Sequence, residues 1–467
     1  MNRLDHLRAA LLCIGLLALP GAPAAELLIR NAKVHTQGSA GTLDGADVLV
    51  RDGRVAAVGR DLRAAPGAEV VDAGGRPLTP GLFGGITGLG VEEVELEPST
   101  VDRSVAYGGD HGTAMPRPEF DVTLAYNPDS VVIGVNRAEG LTFAMVAPTA
   151  LSDGTMFAGQ GALARLDGRV DAFAPATRTL FLDLGASATA AAGRSRAAQF
   201  MLLDQATREA QSTASLRDGD LRLLSPTGRE VLAHYLGGGR VAFSVERAAD
   251  IRQVLDWSAR HHVRPVIIGG AQAWQVASLL ARDEVPVVLD PLVNLPGSFD
   301  QLGATLENAA RLHRAGVPIA FTHFTADTHS AYKVRQAAGV AVAHGLPWEA
   351  ALAALTSTPA QVFGAGGELG RIEPGYSADL VLWSGDPLEV TTVADQVWIA
   401  GLPQIDAVPA EAVARPLPAD NRPPTLRGWT RPSTCRSIRP LPCPAPRRAR
   451  CFSIPGGSAA HDSQDPG

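Results

Sequence analysis

Between residues 241 and 321, short apolar runs return every 20–30 residues or so, a rhythm that limits the fold more than any other feature of the chain. The runs occupy residues 241–245, 265–268, 285–289 and 317–321. Each is nearly free of polar side chains, as a strand buried on both faces must be. Helical spacing fills the gaps. In the first gap Ile251, Val254, Leu255 and Ser258 recur on one face behind Asp250, which reads as an N-cap. Alternating strands and helices predict a parallel α/β fold, and over this length a (β/α)8, TIM-like barrel. The first half is less regular. Residues 141–146 and 180–184 read as strands, whereas 92–125 form an insertion with no assigned structure. Helical stretches at 332–344, 348–355 and 359–363 close the barrel.

Strand patterns flank this region on both sides. Residues 48–50 and 55–58 surround Asp52-Gly53, a hairpin turn signal, and 68–73 form another strand before Gly74-Gly75. Strands return at 378–383 and 395–399. The expected layout is an N-terminal β segment (26–80), the barrel (81–364) and a C-terminal β segment (365–412), with the two β segments meeting as one composite β-sandwich.

The two ends differ in kind from this body. Residues 1–25 resemble a secretory signal. Arg3 and Arg8 flank the start, 9–19 are apolar, and Ala22-Pro23-Ala24 supplies small residues for cleavage. A membrane span needs about 20 apolar residues, and Pro20-Gly21 cuts this run short. A periplasmic or secreted protein without a stable membrane span is expected. Residues 413–467 hold eleven prolines and nine arginines against three acidic residues, with no periodicity. Such a segment buries too little apolar surface to offset ordering entropy, so a disordered tail is expected; a basic interaction tail is the functional alternative.

The chain is 46% hydrophobic but 5% aromatic, so its core is built mainly of Ala, Val and Leu. A net charge of −7 offers no basic surface for nucleic acid. Lys33 and Lys333 are the only lysines, and no cysteine lies between Cys13 and Cys435, which leaves the body without disulfides.

Leu78-Thr79-Pro80-Gly81-Leu82-Phe83 resembles the lead into the first barrel strand of the amidohydrolase superfamily. The run from Leu369-Gly370-Arg371-Ile372 through Glu373-Pro374-Gly375-Tyr376 to Ser377-Ala378-Asp379-Leu380-Val381 is similar to its return into the β-sandwich, and Leu355-Thr356-Ser357-Thr358-Pro359-Ala360 to the helical run before it. Phe157-Ala158-Gly159-Gln160-Gly161 and Arg247-Ala248-Ala249-Asp250-Ile251 are similar to the imidazolonepropionase-like branch. The resemblance spans residues 26–405. It implies hydrolysis of non-peptide C–N bonds, cyclic amides among them, with zinc or another divalent metal at the barrel mouth. There a metal lowers the pKa of water and polarises the scissile carbonyl, so imidazole and carboxylate ligands must converge from the strand ends.

The matching positions lack those ligands. The His-x-His of the first strand falls on Ile86-Thr87-Gly88, and no histidine occurs between His35 and His111. Neither Lys33 nor Lys333 suits a bridging carboxylated lysine. The fifth-strand histidine falls near 244–246, the sixth-strand histidine near Gly269, and the eighth-strand aspartate at about His323. No cofactor and no metal ligand is therefore expected. What remains for catalysis is Glu246, His323 and Asp327, followed by His329; a hydrated polar rim is the competing reading. Glu92, Glu93, Glu95 and Glu97 read as a solvated loop, Asp110-His111 as part of the insertion. His261-His262 reads as a helix end opposite the mouth, where a positive ring suits the dipole.

These residues point to a silent relative kept as a scaffold, or as a partner of an active paralogue in a hetero-oligomer, a homo-oligomer being the other assembly. A binder of a small cyclic amide or peptide-like ligand at the mouth fits equally. The alternative is an active amidohydrolase, metal-free or with a site rebuilt around Glu246 and His323.

Overall fold

A computed structural model describes residues 26–404, apart from 106–114, 152–153, 187, 213–221 and 325–327. Five strands open it: β1 (Leu27–His35), β2 (Thr42–Arg51), β3 (Arg54–Gly59), β4 (Glu69–Asp72) and β5 (Pro77–Pro80). The β2–β3 turn is the one that Asp52-Gly53 predicts. Both residues have positive φ, 51° and 73°, the backbone twist that lets a two-residue hairpin follow the twist of its strands. β1 is the hub: it pairs antiparallel with β2 and parallel with β4 and β5 in succession along its other edge.

Eight strands then form the barrel wall in chain order. They are β6 (Leu82–Thr87), β7 (Leu141–Val146), β8 (Phe157–Arg165), β9 (Thr179–Asp183), β10 (Arg240–Val245), β11 (Arg264–Gly269), β12 (Val287–Leu289) and β13 (Ile319–Phe321). All neighbouring pairs are parallel except β7–β8 and β8–β9. A uniform (β/α)8 pattern is thus broken at β8. The links into and out of β8, residues 147–156 and 166–178, carry no α-helix among the described residues, whereas a parallel return is usually made by a crossover helix. Reversing β8 avoids that crossover. Among the described residues no ladder joins β13 to β6. The seam is bridged by the Ile86 N–H, which donates to Thr322 Oγ1 at 3.0 Å. Gly85 makes that approach feasible: its φ is +82°, and a Cβ there would lie 2.7 Å from Thr322 Oγ1.

Helices follow the wall strands: α1 (Val131–Ala138), α2 (Arg196–Gln211), α3 (Pro226–Leu236), α4 (Ala248–His261), α5 (Ala277–Arg282), α6 (Asn308–Arg314), α7 (Val334–Ala343), α8 (Trp348–Ala353) and α9 (Ser357–Val362). In α4 the predicted face is the buried one, and Trp257 adds an edge-on contact to Phe243 of β10. Its N-cap is Arg247, not Asp250, which stands in the first turn and accepts two hydrogen bonds from the Arg247 guanidinium. No described helix is long and apolar enough to cross a membrane.

The chain returns through β14 (Leu380–Trp383), β15 (Ala394–Ile399) and β16 (Leu402–Pro403), with β14 pairing antiparallel with β5. The two terminal segments therefore meet, as the sequence suggested for a composite β-sandwich, and their strands are hydrogen-bonded into one eight-stranded mixed sheet; its apolar side chains, Ile29, Val48, Leu380 and Trp398 among them, form one core. Charged groups pin this sheet to the barrel. Asp379 accepts from Arg165 of β8 at 2.5 Å and from the Ala400 N–H at 2.8 Å. Arg335 of α7, 2% exposed, donates to the carbonyls of Pro387, Glu389 and Thr392 at 2.6–3.0 Å. The family-like residues around Asp379 thus act as structural fasteners in this chain.

Candidate functional site

The carboxyl ends of β6 and β9–β13 surround the mouth, the end at which barrels of this kind place their chemistry. At the end of β6 Ile86, Thr87 and Gly88 supply one hydroxyl and no imidazole. Glu92 covers them from the following loop. It is buried, pairs with Arg103 at 3.2 Å and accepts from Thr328 Oγ1 at 2.8 Å. This corrects the reading of Glu92 as solvated; Glu95 and Glu97 do lie exposed. Thr87, Glu92, Arg103, His323 and Thr328 line a cleft of about 350 Å³.

His323, just past β13, is nearly buried. Its Nδ1 lies 2.9 Å from Asp290 Oδ2, one residue beyond β12. Asp290 also accepts the N–H of Phe324 at 3.0 Å and that of Leu292 at 2.9 Å, so a single carboxylate fixes both the imidazole and the turns that carry it. With its oxygens serving as acceptors, Nδ1 is the donor of the pair.

Glu246 follows β10 and turns its carboxylate toward the end of β11. Oε2 accepts the Ala271 N–H at 2.8 Å and Oε1 accepts Gln301 Nε2 at 3.3 Å. Burial, reinforced by the charges of Asp300 and Asp290, raises its carboxyl above the usual range against those two hydrogen bonds. The carboxylate lies where a side chain on Gly269 would start, since a Cβ there would meet Oε1 at 2.6 Å. Asp183, at the end of β9, is likewise raised by burial, with a hydrogen bond from Ser244 opposing. Asp300 goes the other way. Burial alone would raise it, but the Arg196 guanidinium and the Ala186 N–H override that and leave it lowered. Arg196 also reaches Asp250 at 3.3 Å, locking the rim between α2 and α4.

Of the three sequence candidates, Glu246 and His323 both face this mouth, whereas Asp327 lies outside the described residues, as do Asp110 and His111. Asp290, Asp183 and Arg103 were missed. The first two carried a signal, for each is a carboxylate at or just after the end of an apolar strand run. Away from the mouth, His262 caps α4 in the left-handed conformation, and burial lowers the His261 ring, so a cationic role for His261 at that helix end is not what its surroundings favour. Lys33 lies in the terminal sheet and Lys333 in the turn before α7.

A divalent metal needs at least three such donors around one point. Among the described residues no three of His, Cys, Asp and Glu are so grouped. His323 is engaged by Asp290, and Glu246 is turned onto backbone and amide donors. Among the described residues, those at the mouth do not fit the fold family's metal.

Residues 221–403 match the amidohydrolase family profile. The imidazolonepropionase of Acidiphilium cryptum is 27% identical over 405 residues, covering 78% of this chain and 94% of that protein. An amidohydrolase structure from Thermotoga maritima superposes with a TM-score of 0.69 at 26% identity, over 81% of this chain and 99% of the other. In sequence and in fold the chain is similar to the amidohydrolase superfamily. A shorter likeness, 49% identical over 63 residues, links it to the amidohydrolase tasK of Hapsidospora irregularis; it covers 14% of this chain and 6% of that one. The reversed β8 and the bridged seam lie within a fold that superposes on that Thermotoga maritima structure over 81% of this chain.

Proposed function

We propose that this chain is an exported member of the imidazolonepropionase-like branch that lacks metal-dependent hydrolysis and uses its barrel mouth to bind a small cyclic amide or peptide-like ligand, as a scaffold or beside an active paralogue. One observation carries this reading. The strand ends that should converge on a metal present Ile86, Thr87 and Gly88 at β6, and at β11 a glycine whose side-chain space holds the Glu246 carboxylate. Without a metal the attacking water keeps its high pKa and the carbonyl stays unpolarised, so amide hydrolysis loses its main drive. The cleft beside His323 and Arg103 still offers polar groups to an amide.

The test is metal analysis after zinc loading and desalting, followed by calorimetric titration with hydantoins and lactams. Sub-stoichiometric zinc with saturable binding supports the proposal. One zinc per chain that is lost in Glu246→Ala or His323→Ala, together with turnover of an amide, would sink it. Peptide sequencing of the mature N-terminus from a periplasmic fraction tests export.

A second reading rests on the His323–Asp290 pair. An imidazole oriented by a carboxylate, at the same barrel mouth as a Glu246 carboxyl raised by burial, supplies the two kinds of group that a general base and a general acid require. In this reading the chain is a metal-free amidohydrolase. Amide hydrolysis that persists in chelator and vanishes in His323→Ala would establish it.

A further inference from the structure

At the opposite end of the barrel, β10 and β11 both begin with arginine. Arg240 and Arg264 are direct partners in the parallel register, so two like charges stand side by side across one strand spacing. Arg240 is 5% exposed, yet it makes no ion pair among the described residues; it donates a hydrogen bond to the Ala176 carbonyl at 3.4 Å. Arg264 is exposed and donates Nε to the Gly238 carbonyl at 2.8 Å, again with no ion pair among the described residues. Besides Arg264, the titratable group that acts on Arg240 is Tyr235, whose phenol burial pushes up to about 12, so it supplies no negative charge at neutral pH. A buried cation beside another cation and without a counterion is costly, and folded proteins keep such groups paired or neutralised.

Both arginines line a groove of about 840 Å³ that also includes Thr358 and Gln361, two neutral hydrogen-bonding side chains. Asp283 and Glu284 also line it, but among the described residues neither pairs with Arg240 or Arg264, and Asp283 is taken by Arg282 at 2.7 Å. We propose that this groove at the amino-terminal end of the barrel strands binds an oxyanion, held between the guanidinium groups of Arg240 and Arg264. Guanidinium forks match carboxylate and phosphate oxygens in pairs, and the groove is large enough for an organic molecule that carries such a group. The site lies away from the mouth and does not depend on how the mouth is read.

The experiment is isothermal titration of the full chain with inorganic phosphate and with acetate, at constant ionic strength set with chloride. Saturable binding of either anion is expected. The stronger binder tells whether the physiological ligand carries phosphate or carboxylate. Arg264→Gln, at an exposed position that leaves the core intact, weakens binding about tenfold or more, as loss of a charged hydrogen-bonding partner should. Arg240→Gln abolishes it, and if that variant fails to fold, Arg264→Gln alone decides the question. No binding of either anion above the chloride background, or unchanged affinity in Arg264→Gln, overturns the proposal.

Discussion

Glu246 and Gly269 each fix the identity of the other. The carboxylate is seated in the space that any Cβ at 269 would enter, and the glycine backbone has a φ of +84°, which side chains disfavour. Gly269→Ala therefore suffers twice, from backbone strain of about 1–2 kcal/mol and from collision with the carboxylate. Glu246→Ala removes the collision only. In a urea-denaturation cycle the double variant is expected to be less destabilised than the sum of the singles, by about 1 kcal/mol. Strict additivity would mean that Glu246 does not hold this seat.

The raised carboxyl of Glu246 also sets a sign for pH dependence. A carboxyl with a folded-state pKa above its unfolded value binds more protons when folded, between those two values. Its contribution is fully present below the unfolded value, about 4.3, and is lost as pH rises through the folded one. Asp183 acts in the same direction and Asp300 in the opposite one, so the wild-type curve alone is ambiguous. The difference in unfolding free energy between wild type and Glu246→Gln isolates the group. It should fall as pH climbs above about 4.3, and a flat difference from pH 4 to 8 would contradict the burial seen here.

Arg335 ties α7 to the loop between β14 and β15 through three carbonyls, and burial depresses its guanidinium below the ordinary range. Arg335→Met keeps volume but leaves those carbonyls without donors, at about 3 kcal/mol or more. Arg282→Ala, which removes only an exposed pair with Asp283, is the control and should leave the denaturation midpoint unchanged.

A metal bound only by the folded state at a hundredfold excess over its Kd would add about 2.7 kcal/mol of stability. With no three ligands grouped among the described residues, dialysis against a chelator and re-addition of zinc should leave the thermal midpoint where it was. A rise with zinc that Glu246→Ala removes would place a metal at the mouth after all.

Much of this was legible in the sequence. The four apolar runs at 241–321 are barrel strands because both of their faces are covered, which leaves a signal that needs no tertiary knowledge. Asp52-Gly53 specified its own turn. The reversal of β8 was not legible, because a strand buried on both faces has the same composition in either direction. That the terminal segments meet was legible from their strand patterns, but the pairing of β5 with β14, which joins residues 300 positions apart, was not. At the mouth the gap at 86–88 was plain, but Asp290 drew no attention. A carboxylate after a strand looks like any loop residue until the fold brings His323 against it.

That pairing yields the last prediction. Asp290 accepts from His323 Nδ1 and from the N–H groups of Phe324 and Leu292, so removing it should release two turns together with the ring. Asp290→Ala is expected to cost about 3 kcal/mol and to speed hydrogen exchange at the amides of 292 and 324 together. Asp290→Asn keeps one acceptor oxygen and should cost about half as much. His323→Ala discriminates the causes, because it deletes the imidazole but leaves Asp290 to both backbone donors, so both amides should stay protected. If His323→Ala exposes them as much as Asp290→Ala does, the imidazole and not the carboxylate organises the rim, and the order of dependence argued for the mouth is reversed.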